Sequence, residues 1–166
     1  GRPRTILLGI DHGNVSGPGV CMIAVTKTAE QSSGMIDVHC HMLPGIDDGA
    51  ADITVALEMA RIAVSDGITM TACTPHIYPG LYENDTGGIK QAVEDFREHL
   101  READIGLELT YGADIQLDPE LIQGLVQGTR PTIHGSRYFL FEPPHHIVPT
   151  RFSESISIPS RAVSCP

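Results

Sequence analysis

Apolar positions change period along this chain, and the changes mark its elements. Ile36 to His41 alternates in the manner of a strand. Asp52 is suited to cap a helix running to about Ser65, with Ile53, Ala56, Met59, Ala60 and Ala63 on one face. Gly67 is a suitable stop for it. Ile68 to Thr74 is β-branched and reads as a second strand, closed by Thr74-Pro75-His76. A loop is expected from Ile77 to Gly88. Ile89 to Ala103 then predicts an amphipathic helix with Ile89, Val93, Phe96 and Leu100 in one stripe. Leu107 to Asp114 reads as a third strand. Asp118-Pro119-Glu120 is a helix start with proline in its first turn. Arg137 to Glu142 reads as a fourth strand.

Strands separated by helices imply parallel pairing through right-handed crossovers, hence an α/β fold. In such folds chemistry gathers at the C-terminal ends of the strands. His39 and His41, His76, Asp114 and Glu142 each end or follow a strand. Their shared position says more than any one of them does. Residues 1–34 differ: they are rich in Gly, Ser and Thr, and their apolar residues never settle into a period. They read as an extension, with Met35 as the natural start of the folded unit.

The chain has 166 residues, 41% hydrophobic and 19% charged, as expected for one soluble domain with a sizeable core. Its formal net charge of -10 argues against nucleic acid as the main partner, since such binders present a basic patch. Four cysteines without C-x-x-C spacing argue against a zinc knuckle or redox pair. A reducing, cytoplasmic setting fits them best. No apolar run approaches a membrane span of roughly 20 residues. Asp11, His12 and Gly13 interrupt the apolar patch Ile6–Ile10, so a secretory signal fits poorly.

Each candidate has a plain alternative. A lone histidine is more often structural than a ligand. Asp47 and Asp48, before Gly49, read as a turn cluster. Asp114 reads as the start of a loop. Glu98 and His99 lie on the outer face of a helix, and His145-His146 in a loop. Glu142 is less easily dismissed, because a carboxylate ending an apolar strand is costly to bury unless paired or metal-bound. Proline before His76 fixes the backbone that aims its ring. Taken together, three histidines and three carboxylates on four strand ends can hold more than one divalent ion. Mixed nitrogen and oxygen donors suit Mn, Fe or Zn better than Ca.

Met35-Ile-Asp-Val-His-Cys-His-Met-Leu-Pro-Gly-Ile-Asp-Asp-Gly49 resembles the opening of the polymerase and histidinol phosphatase (PHP) superfamily. More narrowly it resembles the bacterial capsule and exopolysaccharide tyrosine-protein phosphatases. The likeness continues through Leu57–Arg61, Asp66–Thr69, Thr74-Pro75-His76, Tyr82-Glu83-Asn84, Tyr111–Ile115 and Tyr138–Glu142, and covers roughly 35–156. It implies part of a distorted TIM-like (β/α) barrel, with parallel strands inside, helices outside and up to three metals. His39 and His41 would hold the first. Asp48 and His76 would hold another, and Glu142 would help to hold the remaining one. Asp114 stands where the family usually has a bridging Glu, one methylene longer. The implied activity is hydrolysis of phosphotyrosine in a protein by metal-activated water, with Mn the expected ion and a tyrosine kinase of polysaccharide synthesis the expected substrate. Oligomerisation is left open. Alternatives are a small-molecule phosphoesterase of the histidinol-phosphatase kind and a non-catalytic metal-binding remnant. The family's later His-Pro-Glu-Arg and Asp-Ala-His motifs are absent, and residues 157–166 match nothing, so a truncated barrel of low activity is expected.

Overall fold

The computed structural model describes residues 34–143. The expected extension before Gly34, the tail 157–166 and His145-His146 lie outside the described residues. Among the described residues there are six strands and three helices: β1 Met35–Cys40, α1 Ile53–Ser65, β2 Ile68–Cys73, β3 His76–Ile77, α2 Thr86–Glu102, β4 Glu108–Tyr111, β5 Asp114–Gln116, α3 Leu121–Gln127 and β6 Leu140–Glu142. A single 3-10 turn at Ile133–Gly135 precedes β6.

All strand pairs are parallel, in two sheets ordered β1-β2-β4 and β3-β5-β6. The four strands expected from the sequence correspond to four staves. The second stave breaks at Thr74-Pro75, so that His76 and Ile77 join the other sheet as β3. The third breaks at Gly112-Ala113, separating β4 from β5. The breaks lie side by side and hydrogen bonds bridge them: Thr74 N–H donates to Cys40 O (2.8 Å), Gly112 N–H to Cys73 O (2.9 Å) and Asp114 N–H to Pro75 O (3.1 Å). The two sheets are therefore one bent surface. Gly112 suits the bend, because a Cβ there would sit tightly, 3.1 Å from Thr74 Cγ2 and 3.3 Å from Ile133 Cγ1. The fourth stave starts at Leu140 rather than Arg137, because Ile133 N–H donates to Tyr138 O and holds that segment in a turn.

The helices cover the outer face. Asp52 caps α1, its carboxylate accepting from Thr54 and Val55 N–H (2.8 and 3.0 Å). Ala56, Ala60 and Ala63 are the buried positions of α1, small enough to bring it close to the sheet. α2 begins at Thr86, three residues before its apolar stripe, because Asp85 caps it through Gly88 N–H (2.7 Å). Its Ile89, Val93, Phe96 and Leu100 are all buried, as the period requires. α3 starts at Leu121, later than Asp118-Pro119 suggested. The Asp118 carboxylate instead accepts Glu120 N–H (2.7 Å) and both Arg130 terminal nitrogens (2.9 and 2.6 Å), tying the start of α3 to the segment after it. Burial alone would raise the Asp118 pKa, but the Arg130 hydrogen bonds outweigh it and hold the carboxyl below its usual value. Among the described residues, no helix is long and apolar enough to cross a membrane.

Candidate metal centre

Strand alternation turns Asp37, His39 and His41 to one side of β1. The loop after β1 folds back on itself: Ala50 N–H donates to His41 O (3.0 Å) and Gly45 N–H to Ala50 O (2.8 Å). This brings Asp47 and Asp48 under His41. Gly49 makes the fold-back possible, since a Cβ at this position would lie 2.0 Å from His41 O. β3 begins with His76, β5 with Asp114 and β6 ends with Glu142. Register places His76 beside Asp114 on the paired strands.

All six residues expected from the sequence converge. Their ligand atoms fall into three overlapping groups: His39, His41 and Asp114; His41, Asp48 and His76; and His76, Asp114 and Glu142. His41, His76 and Asp114 each belong to two groups. His39 Nε2 lies 3.0 Å from His41 Nε2 and 3.6 Å from Asp114 Oδ2. His76 Nε2 lies 3.5 Å from Asp48 Oδ1, and His76 Nδ1 lies 3.7 Å from Asp114 Oδ2 and 3.6 Å from Glu142 Oε2. Asp114 is nearly buried and Asp48 is 61% exposed, so the cluster opens to solvent on the Asp48 side.

Several features suit bound cations. His76 Nδ1 is buried without a hydrogen-bond partner. The imidazole–carboxylate distances of 3.5–3.7 Å exceed hydrogen-bond range but suit donors around a common ion. Two nitrogens each about 2.1 Å from one ion stand about 3.0 Å apart at a right angle and about 3.4 Å apart at the tetrahedral angle. The His39–His41 spacing of 3.0 Å falls in this range and is also that of a hydrogen bond between the two rings.

Asp47 and Asn84 complete the surroundings. Asp47 Oδ2 lies 2.7 Å from His41 Nδ1. Burial disfavours the charged His41 ring, but the Asp47 hydrogen bond and the nearby carboxylates outweigh it and raise its pKa. Burial would likewise raise the Asp47 pKa, but bonds from His41, Gly49 and His76 lower it. Asn84 Nδ2 donates to both Ile46 O (3.0 Å) and His76 O (2.9 Å). Tyr82 stacks on His76 with ring centroids 5.7 Å apart. The residues alone pointed to a turn at Asp47-Asp48-Gly49, the resemblance named Asp48 as a ligand, and neither gave Asp47 a role. The doubled Asp beside a glycine was the available signal. Cys40 lies between the two histidines but opposite Cys73 in the ladder. Burial pushes the Cys40 thiol up to about 12, which makes it a poor nucleophile.

The family described as capsular polysaccharide synthesis, CpsB/CapC, matches residues 35–156. Tyrosine-protein phosphatase YwqE of Bacillus subtilis (strain 168) is 37% identical over 122 residues, which are 74% of this chain and 48% of that protein. Tyrosine-protein phosphatase CpsB of Streptococcus pneumoniae is 28% identical over 108 residues, 65% of this chain and 44% of that protein. A solved structure, from work on YwqE of Bacillus subtilis and CpsB of Streptococcus pneumoniae as metal-dependent tyrosine phosphatases, superposes with a TM-score of 0.69 at 38% identity. That match covers 72% of this chain and 48% of the other. The chain thus spans about half the length of the curated relatives it matches.

Proposed function

Because this chain belongs to the CpsB/CapC family of capsular polysaccharide synthesis, we propose that its donor cluster serves a metal-dependent protein-tyrosine phosphatase. The proposed ligands are His39, His41, Asp48, His76, Asp114 and Glu142. The proposed substrate is a phosphotyrosine protein, with a tyrosine kinase of polysaccharide synthesis the expected one. The observation that carries the reading is the convergence of these six donors in three overlapping groups at strand ends. Divalent ions bound there would supply Lewis acidity and activated water for in-line phosphoryl transfer.

The chain's own residues define the rest. His39 and His41 present two nitrogens close enough to share one ion, and the mixed nitrogen and oxygen donors suit Mn, Fe or Zn. Buried Asp114 stands between His39 and His76, and its carboxylate can serve two groups at once. Exposed Asp48 marks the side from which a phosphorylated side chain reaches the cluster. No cysteine nucleophile is needed.

The test is metal content by mass spectrometry, with turnover of a phosphotyrosine peptide and of histidinol phosphate measured with and without Mn²⁺. Bound metal and Mn-dependent turnover of the peptide support the proposal. Preference for histidinol phosphate would replace it with the small-molecule reading. Bound metal without turnover would reduce the chain to a metal-binding half-site, and no bound metal would end the assignment.

A further inference from the structure

We propose that Asp47 is a positioning residue that sets two ligand histidines from different strands in one geometry, His41 through its ring and His76 through its main chain. The inference rests on the metal-site reading above. The Asp47 side chain is wholly inaccessible to solvent. A buried carboxylate is expensive unless its oxygens are occupied, and here two backbone N–H groups and one ring nitrogen reach it. Gly49 N–H donates to Oδ1 (3.0 Å), His76 N–H donates to Oδ2 (3.1 Å), and His41 Nδ1 lies 2.7 Å from Oδ2.

A simple turn would use only the Gly49 bond. The same carboxylate instead spans from the first stave to the second, 29 residues on. An ionised carboxylate only accepts, so it selects the His41 tautomer that carries its proton on Nδ1. The Nε2 lone pair is then directed at the donor group shared with His39. Asn84 acts on the same joint from the other side, holding the carbonyls of Ile46 and His76. The His76 backbone is thus gripped at its N–H by Asp47 and at its C=O by Asn84. Carboxylates that orient a ligand histidine also raise its basicity toward the ion.

An asparagine at this position keeps the shape but replaces one oxygen with an NH₂ donor. Three N–H groups cannot all be accepted by one amide oxygen in the original geometry. With the NH₂ toward His41 the tautomer reverses, placing the proton on Nε2 where the ion would sit; with the NH₂ toward Gly49 two donors face each other and the fold-back loosens.

The experiment is long-range ¹H–¹⁵N NMR of the imidazoles in the metal-free chain at alkaline pH, paired with Mn²⁺ titration. The wild-type chain should show His41 as the Nδ1–H tautomer. Asp47→Asn should reverse it or unseat the Gly49 fold-back, and in either case weaken Mn²⁺ binding by about 10–100-fold. Asp48→Asn should lose affinity with the tautomer unchanged. An Nε2–H tautomer in the wild-type chain overturns the proposal without any variant, even if Asp47→Asn fails to fold. An Asp47→Asn chain that keeps both tautomer and affinity overturns it as well. A wild-type chain that takes up no Mn²⁺ refutes the metal reading instead, while the tautomer still decides the role of Asp47.

Discussion

Replacing both His39 and His41 with alanine should remove metal-linked stability in part, and the overlap of the donor groups gives the size of that part. The double substitution leaves only Asp114 in the first group and only Asp48 and His76 in the second. The third group, His76, Asp114 and Glu142, is untouched. One ion at a free concentration 100-fold above its dissociation constant adds about 2.7 kcal/mol to stability. For a chain of this size that corresponds to a rise of about 8 °C in melting temperature. The assay is a thermal melt of each chelator-stripped protein with and without Mn²⁺, backed by metal content. Each variant must be compared with its own metal-free melt, because losing the His41–Asp47 bond also strands part of a buried carboxylate, at about 1–3 kcal/mol. The double variant should give up at least one site's worth of the Mn²⁺ shift and keep a remainder. His76→Ala should show the complementary loss, sparing the first group. Equal Mn²⁺ shifts in the wild-type chain and both variants would refute the grouping.

Three further outcomes follow from the fold. Phe96→Ala, at a 1% exposed position beneath α2, should cost about 3–5 kcal/mol in a denaturant titration; a loss under 1 kcal/mol would mean that α2 does not pack as described. Asp118→Asn should lower stability at neutral pH. Folded Asp118 holds its proton less tightly than the unfolded chain does, so its contribution is full above the ordinary value near 3.9 and fades as pH falls through the depressed one. The stability gap between the two proteins should therefore close in acid, and a gap that widens there would contradict the Arg130 pairing. In a Cys21→Ser/Cys165→Ser background, Cys40 and Cys73 should resist a thiol reagent at pH 8 until the protein unfolds, since burial raises both pKa values; prompt labelling of the native chain would argue against the packing of β1 on β2.

Much of the fold was legible because its signals are local. The Ile89, Val93, Phe96 and Leu100 stripe and the Asp52 cap are written within one or two turns of helix. The convergence of the six donors was also legible, since parallel staves bring matching positions together, although His76 and Asp114 open β3 and β5 just past the breaks rather than ending them. The breaks in the second and third staves were not. β3 has two residues and β5 three, too few to show a period, and their sheet is decided by pairing partners far along the chain. The start of α2 was missed because Gly87 and Gly88 weaken helix propensity, while the Asp85 cap overrides them. Asp47 and Asp48 could not be told apart by type. Only the fold-back at Gly49 sends one carboxylate inward to His41 and leaves the other at the rim.

The staves follow one another in chain order, and this gives the donor cluster a schedule during synthesis. A chain emerging from the ribosome completes His41, Asp48 and His76 first. His39, His41 and Asp114 close next, and Glu142 closes the last group. At roughly 5–20 residues per second, the interval between His76 and Glu142 lasts roughly 3–13 seconds. Through the first part of that interval, until β4 and β5 emerge, His41, Asp48 and His76 are out while both later staves are still to come. If the cluster holds metal as proposed, metal supply at the moment of translation can bias which ion enters first.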